Sequence, residues 1–326
     1  MEKTKKNNPL DWVKEHAYDM AAYLGLLVTL ILFFIYSGDK LFYNLTTTLQ
    51  TIAPYAIIAL GAVFVYSMGC MDVSVGQQVG VYAILIILIS NKIGGLAGVA
   101  AGFLTVLLLS LICGAFNGAV AVWLGLPSIV TSLFLMFFFG GAQMLLIERT
   151  GGSTISIETA IKPSDRNLYT LMMVGMIIIV AIAVTYLFNY TKLGKYTKAI
   201  GANETVAAQT GVNLTKWKII AYMVFGITVA IGSFAVLTRT SSAGQGTGSG
   251  YAMDIMVCLI LGGMPLSGGM VSKVRSALIG TFTYMLLTND LTTMGVDLNI
   301  INFIKAIVFL LIVLITCRKR TGTLPR

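Results

Sequence analysis

Charge is scarce in this chain. Lys, Arg, Asp and Glu make up 11% of its 326 residues, against about 25% in a soluble globular domain. Histidine is almost missing: the single His16 sits in a polar N-terminal stretch, which removes imidazole acid–base chemistry from everything after it. The four cysteines, Cys70, Cys113, Cys258 and Cys317, stand singly with no paired spacing, so neither a disulfide framework nor a metal site is expected. No G-x-x-x-x-G-K-[ST], H-E-x-x-H or G-x-S-x-G occurs, which leaves nucleotide hydrolysis, metalloprotease and hydrolase activity without a motif. The expectation is a chain that is not an enzyme and carries no cofactor.

What is present is apolar. Residues AVILMFWYC make up 57% and mean hydropathy is +0.87, so the lipid bilayer is the solvent for most of the chain. A spanning helix needs about 20 mostly apolar residues because every backbone amide must bond within the segment. Ten runs fit, over residues 21–37, 52–69, 74–90, 95–113, 127–147, 170–189, 218–238, 252–264, 274–289 and 299–317. The eighth is short, and residues 114–127 are too apolar for an ordinary loop; both are expected to be half-helices or re-entrant pieces. The fold class is therefore an all-α polytopic membrane protein of about ten transmembrane helices, some broken or re-entrant. A tail over 1–20, one transmembrane domain over 21–317 and a second tail over 318–326 complete it.

Ten spans place both termini on one side, and Lys and Arg resist translocation, so their count names the side. Lys3, Lys5, Lys6, Lys14, Lys192, Lys195, Lys198, Lys216, Lys218, Lys273, Arg275, Arg318, Lys319, Arg320 and Arg326 fall on one side. Only Lys40, Lys92, Arg149, Lys162, Arg166 and Arg239 fall on the other. Fifteen against six predicts that the first side, with both termini, is cytoplasmic. The formal charge of +9 then reflects topology and attraction to anionic headgroups, and no nucleic-acid partner is expected. The first apolar run is span-length and lacks a cleavage-site pattern, so no cleavable signal peptide is expected.

Two polar features interrupt the apolar pattern. In residues 190–218, YTKLGKYTKAIGANETVAAQTGVNLTKWK, Asn203 precedes Glu204, Val206, Ala207 and Ala208, and Gly211 closes the stretch. An Asn cap, an acidic first turn, helix formers and a glycine stop predict a short helix. It either rests on the membrane surface or docks into a partner. In GCMDVSVGQQVGVYAILIILIS, Asp72 is too costly for the bilayer centre, about 2.5–3.5 kcal/mol on insertion scales, so it must lie near a span end or face water, where it would cap the helix that follows. Ser74, Gln77, Gln78 and Tyr82 then share one helix face. Such a stripe binds neighbouring helices or lines an aqueous path; Asn117, Thr131 and Ser132 are further polar candidates for that path.

Residues 239–251, RTSSAGQGTGSGY, cannot form a packed helix of their own and are expected to be flexible or to belong to a broken helix. Lys305 is expected to snorkel to the headgroups. Asp254, Asp290 and Asp297 lie near span ends, so no carboxylate relay crosses the membrane. Leu266, Ser267, Gly268 and Gly269 spell the beginning of an ATPase signature, but Met270 follows where glutamine is usual and the run lies between apolar segments.

Four stretches, in this order, resemble the integral membrane permeases of ribose-type ABC importers: MDVSVGQ at 71–77, NGAVAVWLGLPSIVTSLFLM at 117–136, AIGANETVAAQTGVN at 199–213 and LGGMPLSGG at 261–269. The chain departs from that pattern at Cys70, at Ala252 and Met253 before Asp254, and at residues 270–273. The resemblance implies a BtuC-like fold in which two permease subunits, identical or paralogous, enclose one pathway for a monosaccharide such as ribose, xylose or galactose, with a non-sugar polar solute (a nucleoside, amino acid or signalling molecule) as the alternative that the departures leave open. It also implies two further partners, an ABC ATPase (two copies or a fused pair) and an extracytoplasmic solute-binding protein, in a prokaryotic inner membrane. The segment of Gly201, Asn203, Glu204, Ala207, Ala208 and Gly211 would couple to the ATPase. Two rivals stand beside this reading: a self-sufficient secondary transporter, which would place ionisable residues near span centres, and a membrane scaffold, whose polar groups would serve packing only.

Overall fold

The computed structural model describes residues 9–265 and 267–316. The basic residues of both tails before Pro9 and after Thr316, with Cys317 and Leu266, lie outside the described residues. Twelve α-helices are found among those described: α1 (Pro9–Ser37), α2 (Leu41–Ser67), α3 (Val75–Ile93), α4 (Gly95–Trp123), α5 (Ser128–Glu148), α6 (Arg166–Tyr190), α7 (Lys192–Ala202), α8 (Glu204–Gln209), α9 (Leu214–Thr240), α10 (Tyr251–Leu261), α11 (Val274–Thr293) and α12 (Leu298–Thr316). One two-stranded antiparallel sheet joins β1 (Thr154–Ser156) to β2 (Ser242–Gly244). Each predicted run is helical over most of its length, and six helices, α2 to α6 and α9, are long and apolar enough to cross a membrane. The protein is an all-α polytopic membrane protein.

The core forms around α2. Its most apolar stretch is 78% buried, against 28% in α4, α5 and α6, so α2 sees protein on all sides and the other three turn a broad apolar face outward. Leu104, Leu108 and Ile112 on α4, Phe134 and Phe138 on α5, and Ile178 and Ile182 on α6 are all exposed. In lipid, helices gain little from hydrophobic burial against one another, so close backbone approach has to supply the packing. Small residues allow it. Gly61 of α2 faces Thr228 of α9, and Gly232 of α9 faces Ile58 of α2.

The same device corrects the reading of residues 114–127. No half-helix or re-entrant piece occurs there: α4 continues to Trp123. Gly114 and Gly118, weak helix formers on propensity, sit against the backbone of α9 at Tyr222 and Ile219, and Gly226 of α9 returns the contact on the carbonyl of Ser110. A β-carbon on Gly118 would lie 2.8 Å from Ile219 Cα. Contact between backbones thus repays what the glycines lose in propensity.

The loop over residues 239–251 separates α9 from α10 and is held at several points. β2 pairs with β1 in the register Ile155 opposite Ala243, and Asn91, in the last turn of α3, brackets β1 by donating to Ser156 O at 2.9 Å and accepting from Glu158 N at 3.1 Å. Gln143 of α5 adds a staple, its Nε2 donating to the carbonyls of Gly244, Gln245 and Thr247 at 2.8, 3.2 and 3.0 Å. At the same end of the molecule Arg166 ties the start of α6 to that of α2. It donates to Thr46 Oγ1 at 2.9 Å and to Tyr43 O at 2.8 Å, with its guanidinium 3.6 Å from the Tyr43 ring centroid.

At the opposite end α2 stops at Ser67, whose carbonyl accepts from Gly269 N at 2.7 Å. Gly201 at the end of α7 also abuts that carbonyl. The Ser267–Gly268–Gly269 turn is therefore a packing joint between α2, α7 and the loop before α11.

Candidate functional site

Six of the seven pathway candidates come together, and they do so in the interior. Between α2 and α3 the chain turns through Cys70 and Asp72, and Asp72 is only 4% exposed. Its Oδ1 accepts from Ser74 N at 2.9 Å and from Ser74 Oγ at 2.5 Å. Its Oδ2 accepts from Asn117 Nδ2 of α4 at 2.8 Å. Asp72 thus closes a turn ahead of α3, whose first residue is preceded by Ser74; it does not cap the helix amides themselves. Thr131 of α5 bonds Asn117 Oδ1 at 3.2 Å, and Ser132 Oγ accepts from Val73 N at 3.2 Å. On α3, Gln78 Nε2 donates to Ser74 Oγ at 2.7 Å, and Tyr82 OH donates to Gln78 Oε1 at 3.2 Å.

The result is an unbroken chain of polar contacts from Tyr82 through Gln78, Ser74, Asp72 and Asn117 to Thr131. It joins α3, α4 and α5. A buried polar group left without a partner costs about 1–3 kcal/mol, and these groups satisfy one another. Asp72 therefore neither faces water nor lies bare in the bilayer. Gln77 stands apart: it is half-buried, and no hydrogen bond to its side chain is found among the described residues.

The second candidate, the segment between α6 and α9, folds as two helices where one was expected. Thr191 caps α7 through its hydroxyl, which accepts from Leu193 N at 3.2 Å; this N-cap was legible in sequence but the helix was missed. Asn203 caps α8, its Oδ1 accepting from Val206 N at 3.1 Å. Gly211 adopts a positive φ of 84°, which glycine tolerates without strain, and Asn213 restarts the chain as the cap of α9, accepting from Lys216 N at 3.0 Å. Ala207 is buried, whereas Asn203, Glu204, Ala208 and Gly211 are exposed, as is the apolar Val206. Glu204 reaches back to Lys218 of α9 at 2.6 Å. Gly201 serves a different end from the rest, since its contact is with the core at Ser67.

A third cluster escaped the sequence reading. Tyr284 of α11 donates its hydroxyl to Asp254 of α10, and Lys305 of α12 lies with its ammonium 4.7 Å from the Tyr284 ring centroid. Lys305 is half-buried over that aromatic face. Beside it Tyr55 of α2 stacks on Tyr251 of α10, with centroids 4.2 Å apart and planes 10° from parallel. The available signal was an ionisable residue inside a span, Lys305, with an acid that could meet it, Asp254. Among the described residues no group of three or more His, Cys, Asp or Glu is placed to hold a metal ion.

The chain is a bundle of apolar helices packed through glycines, with polar side chains turned inward and a capped helix pair displayed at one end. Residues 44–316 match the family model described as the branched-chain amino acid transport system / permease component, and the chain belongs to that family. It is 29% identical over 282 residues to the ribose import permease protein RbsC of Escherichia coli strain K12, covering 85% of this chain and 86% of the relative. It is 30% identical over 229 residues to the autoinducer 2 import system permease protein LsrC of Yersinia pestis strain Pestoides F, covering 69% of this chain and 63% of that relative. No solved structure matches the chain. The protein is a multi-pass permease component of an ABC importer family and resembles its ribose-type members; such subunits are transport components and not enzymes.

Proposed function

We propose that this chain forms the translocation pathway of an ATP-driven importer for a small polar solute, a monosaccharide in the first instance. The observation that carries the reading is the similarity to a ribose import permease over 85% of the chain. In this reading an extracytoplasmic binding protein delivers the solute, two permease subunits enclose the path, and a separate ATPase supplies the energy. Ten spans in a BtuC-like arrangement form a single permease domain over residues 21–317 in this reading, with both termini cytoplasmic as the excess of basic residues on that side predicts.

The geometry supports a mechanical route. Asn203, Glu204, Val206 and Ala208 present α8 outward as a surface for the ATPase, while buried Ala207 seats it on the bundle. Gly201 carries any displacement of α7 to the carbonyl of Ser67, at the end of α2. Asp72 lies five residues beyond and holds the same junction to α4 through Asn117. A push on α8 is thereby delivered to the base of α3. Asp72, Ser74, Gln78, Asn117, Thr131 and Ser132 act in this reading as the joint that keeps α3, α4 and α5 moving together, and Gln77 is the member that lines the path.

Reconstitution tests it. Proteoliposomes holding this permease, its ATPase and its binding protein should accumulate labelled ribose only with ATP inside the ATPase-bearing compartment. A complex that assembles, hydrolyses ATP and moves no monosaccharide from a panel of pentoses and hexoses would overturn the sugar assignment. The resemblance to an autoinducer 2 import permease favours one second reading, a non-sugar polar signalling solute, and that compound belongs in the same panel.

A further inference from the structure

Where α6 ends and α11 begins, on the end of the molecule that carries α7, lies a cavity of about 520 Å³, within the range of about 300–1,000 Å³ common for small-molecule sites. Lys198, Lys273 and Arg275 contribute to its wall, and among the described residues no acidic one does. The first turn of α11 opens into the same wall. Its N-cap position is Lys273, whose side chain makes no cap hydrogen bond, and the N-terminus of a helix favours an anion. Ser272 is the independent sign of a ligand. It lines the cavity, is 1% exposed, and its hydroxyl has no hydrogen-bond partner among the described residues. A buried hydroxyl without a partner is a standing cost that a phosphate oxygen would remove.

The surroundings favour a lipid. Thr185 and Asn189 of α6 complete the polar wall, and Leu278, one turn into α11, adds an apolar patch. The neighbouring face of α6 is bare: Ile182, Tyr186 and Tyr190, four residues apart, are 66%, 62% and 75% exposed. The two tyrosine rings stack with centroids 6.0 Å apart, as amphipathic rings do at headgroup level. Lys198 lies over the Phe188 ring at 4.4 Å, and burial pushes its ammonium below the ordinary lysine range, a shift that an adjacent anion would reverse.

We propose that this cavity binds the phosphodiester headgroup of an anionic phospholipid, with Lys198 and the start of α11 facing the phosphate, Ser272 donating a hydrogen bond to it, and the acyl chains lying along α6. The site needs only that the protein sits in a membrane; it stands or falls separately from the importer reading.

Native mass spectrometry of the full-length protein in detergent, offered equal amounts of phosphatidylglycerol and phosphatidylcholine, tests it. Phosphatidylglycerol should be retained at least about fivefold over phosphatidylcholine, the scale set by one basic residue at a membrane surface. Lys198→Gln and Ser272→Ala should each reduce that preference severalfold, both proteins eluting as monodisperse species, while Lys192→Gln, outside the cavity, should keep it. Equal retention of the two lipids, or a preference that neither cavity variant changes, would overturn the proposal. So would a Lys198-dependent rise in melting temperature with inorganic phosphate in the absence of any lipid preference, which would assign the cavity to a soluble anion. Capture of an acidic peptide in place of lipid would do the same.

Discussion

Asn117 and Asp72, 45 residues apart in sequence, meet through a 2.8 Å hydrogen bond between two almost fully buried side chains. This contact ties the turn before α3 to the middle of α4's second half, and Thr131 extends it to α5. Replacing Asn117 by Ala strips the buried carboxylate of Asp72 of the donor on its Oδ2. We expect a loss of about 1–3 kcal/mol, read as a lower melting temperature in detergent, with uptake falling in step with the folded fraction.

Gln77 should behave differently. It shares the stripe with Gln78 but not the network, and it is only half-buried. Gln77→Leu should leave the melting temperature within experimental error of the parent while reducing uptake several-fold, whereas Gln78→Leu, which removes one hydrogen bond each from Ser74 and Tyr82, should lower both. Equal thermal losses in the two variants would assign Gln77 to packing.

The outer staple gives a local prediction. Gln143→Leu removes the donor from three carbonyls, one at the end of β2 and two in the segment after it. Limited proteolysis should then cut between residues 239 and 251, where the parent protein resists, and global stability should fall by about 1–3 kcal/mol.

Two glycines separate packing from propensity. Gly118→Leu places side-chain atoms in the backbone of α9 and should cost at least about 1–3 kcal/mol or prevent folding. A β-carbon on Gly140 of α5 would meet nothing within 4 Å; Gly140→Ala should be neutral or stabilising by up to about 1 kcal/mol, in the same melting experiment.

Much of the bundle was legible because hydrophobic runs of span length report directly on the solvent they need. The ends of the helices were less so. α2 begins at Leu41, eleven residues ahead of the predicted run, because its first turns are polar threonines whose hydroxyls bond back to helix carbonyls, as Thr48 does to Asn44 O. The continuation of α4 through Gly114 and Gly118 was hidden because a glycine that breaks a lone helix and one that admits a neighbouring backbone look the same in sequence. The cap at Asn203 was readable since its chemistry is local. The meeting of Asp72 with Asn117, and of Asp254 with Tyr284, was not, because each depends on which helices become neighbours. The companion of Lys305, the ring of Tyr284 on another helix, was hidden for the same reason.

Glu204 separates docking from stability. It is 52% exposed and its ion pair with Lys218 lies at the surface, where such pairs contribute about 0–1 kcal/mol. Glu204→Lys should therefore leave the melting temperature nearly unchanged while abolishing co-purification with the ATPase subunit and ATP-dependent uptake. Normal complex yield with normal uptake would remove α8 from the coupling surface.

The side on which α7 and α8 lie decides the account as a whole. With the native cysteines replaced and a single cysteine introduced by Ala208→Cys, at an exposed position of α8, a membrane-impermeant maleimide should fail to label intact cells and should label inverted membrane vesicles fully. Labelling in intact cells, with inverted vesicles protected, would place this segment outside the cell, where no ATPase could reach it.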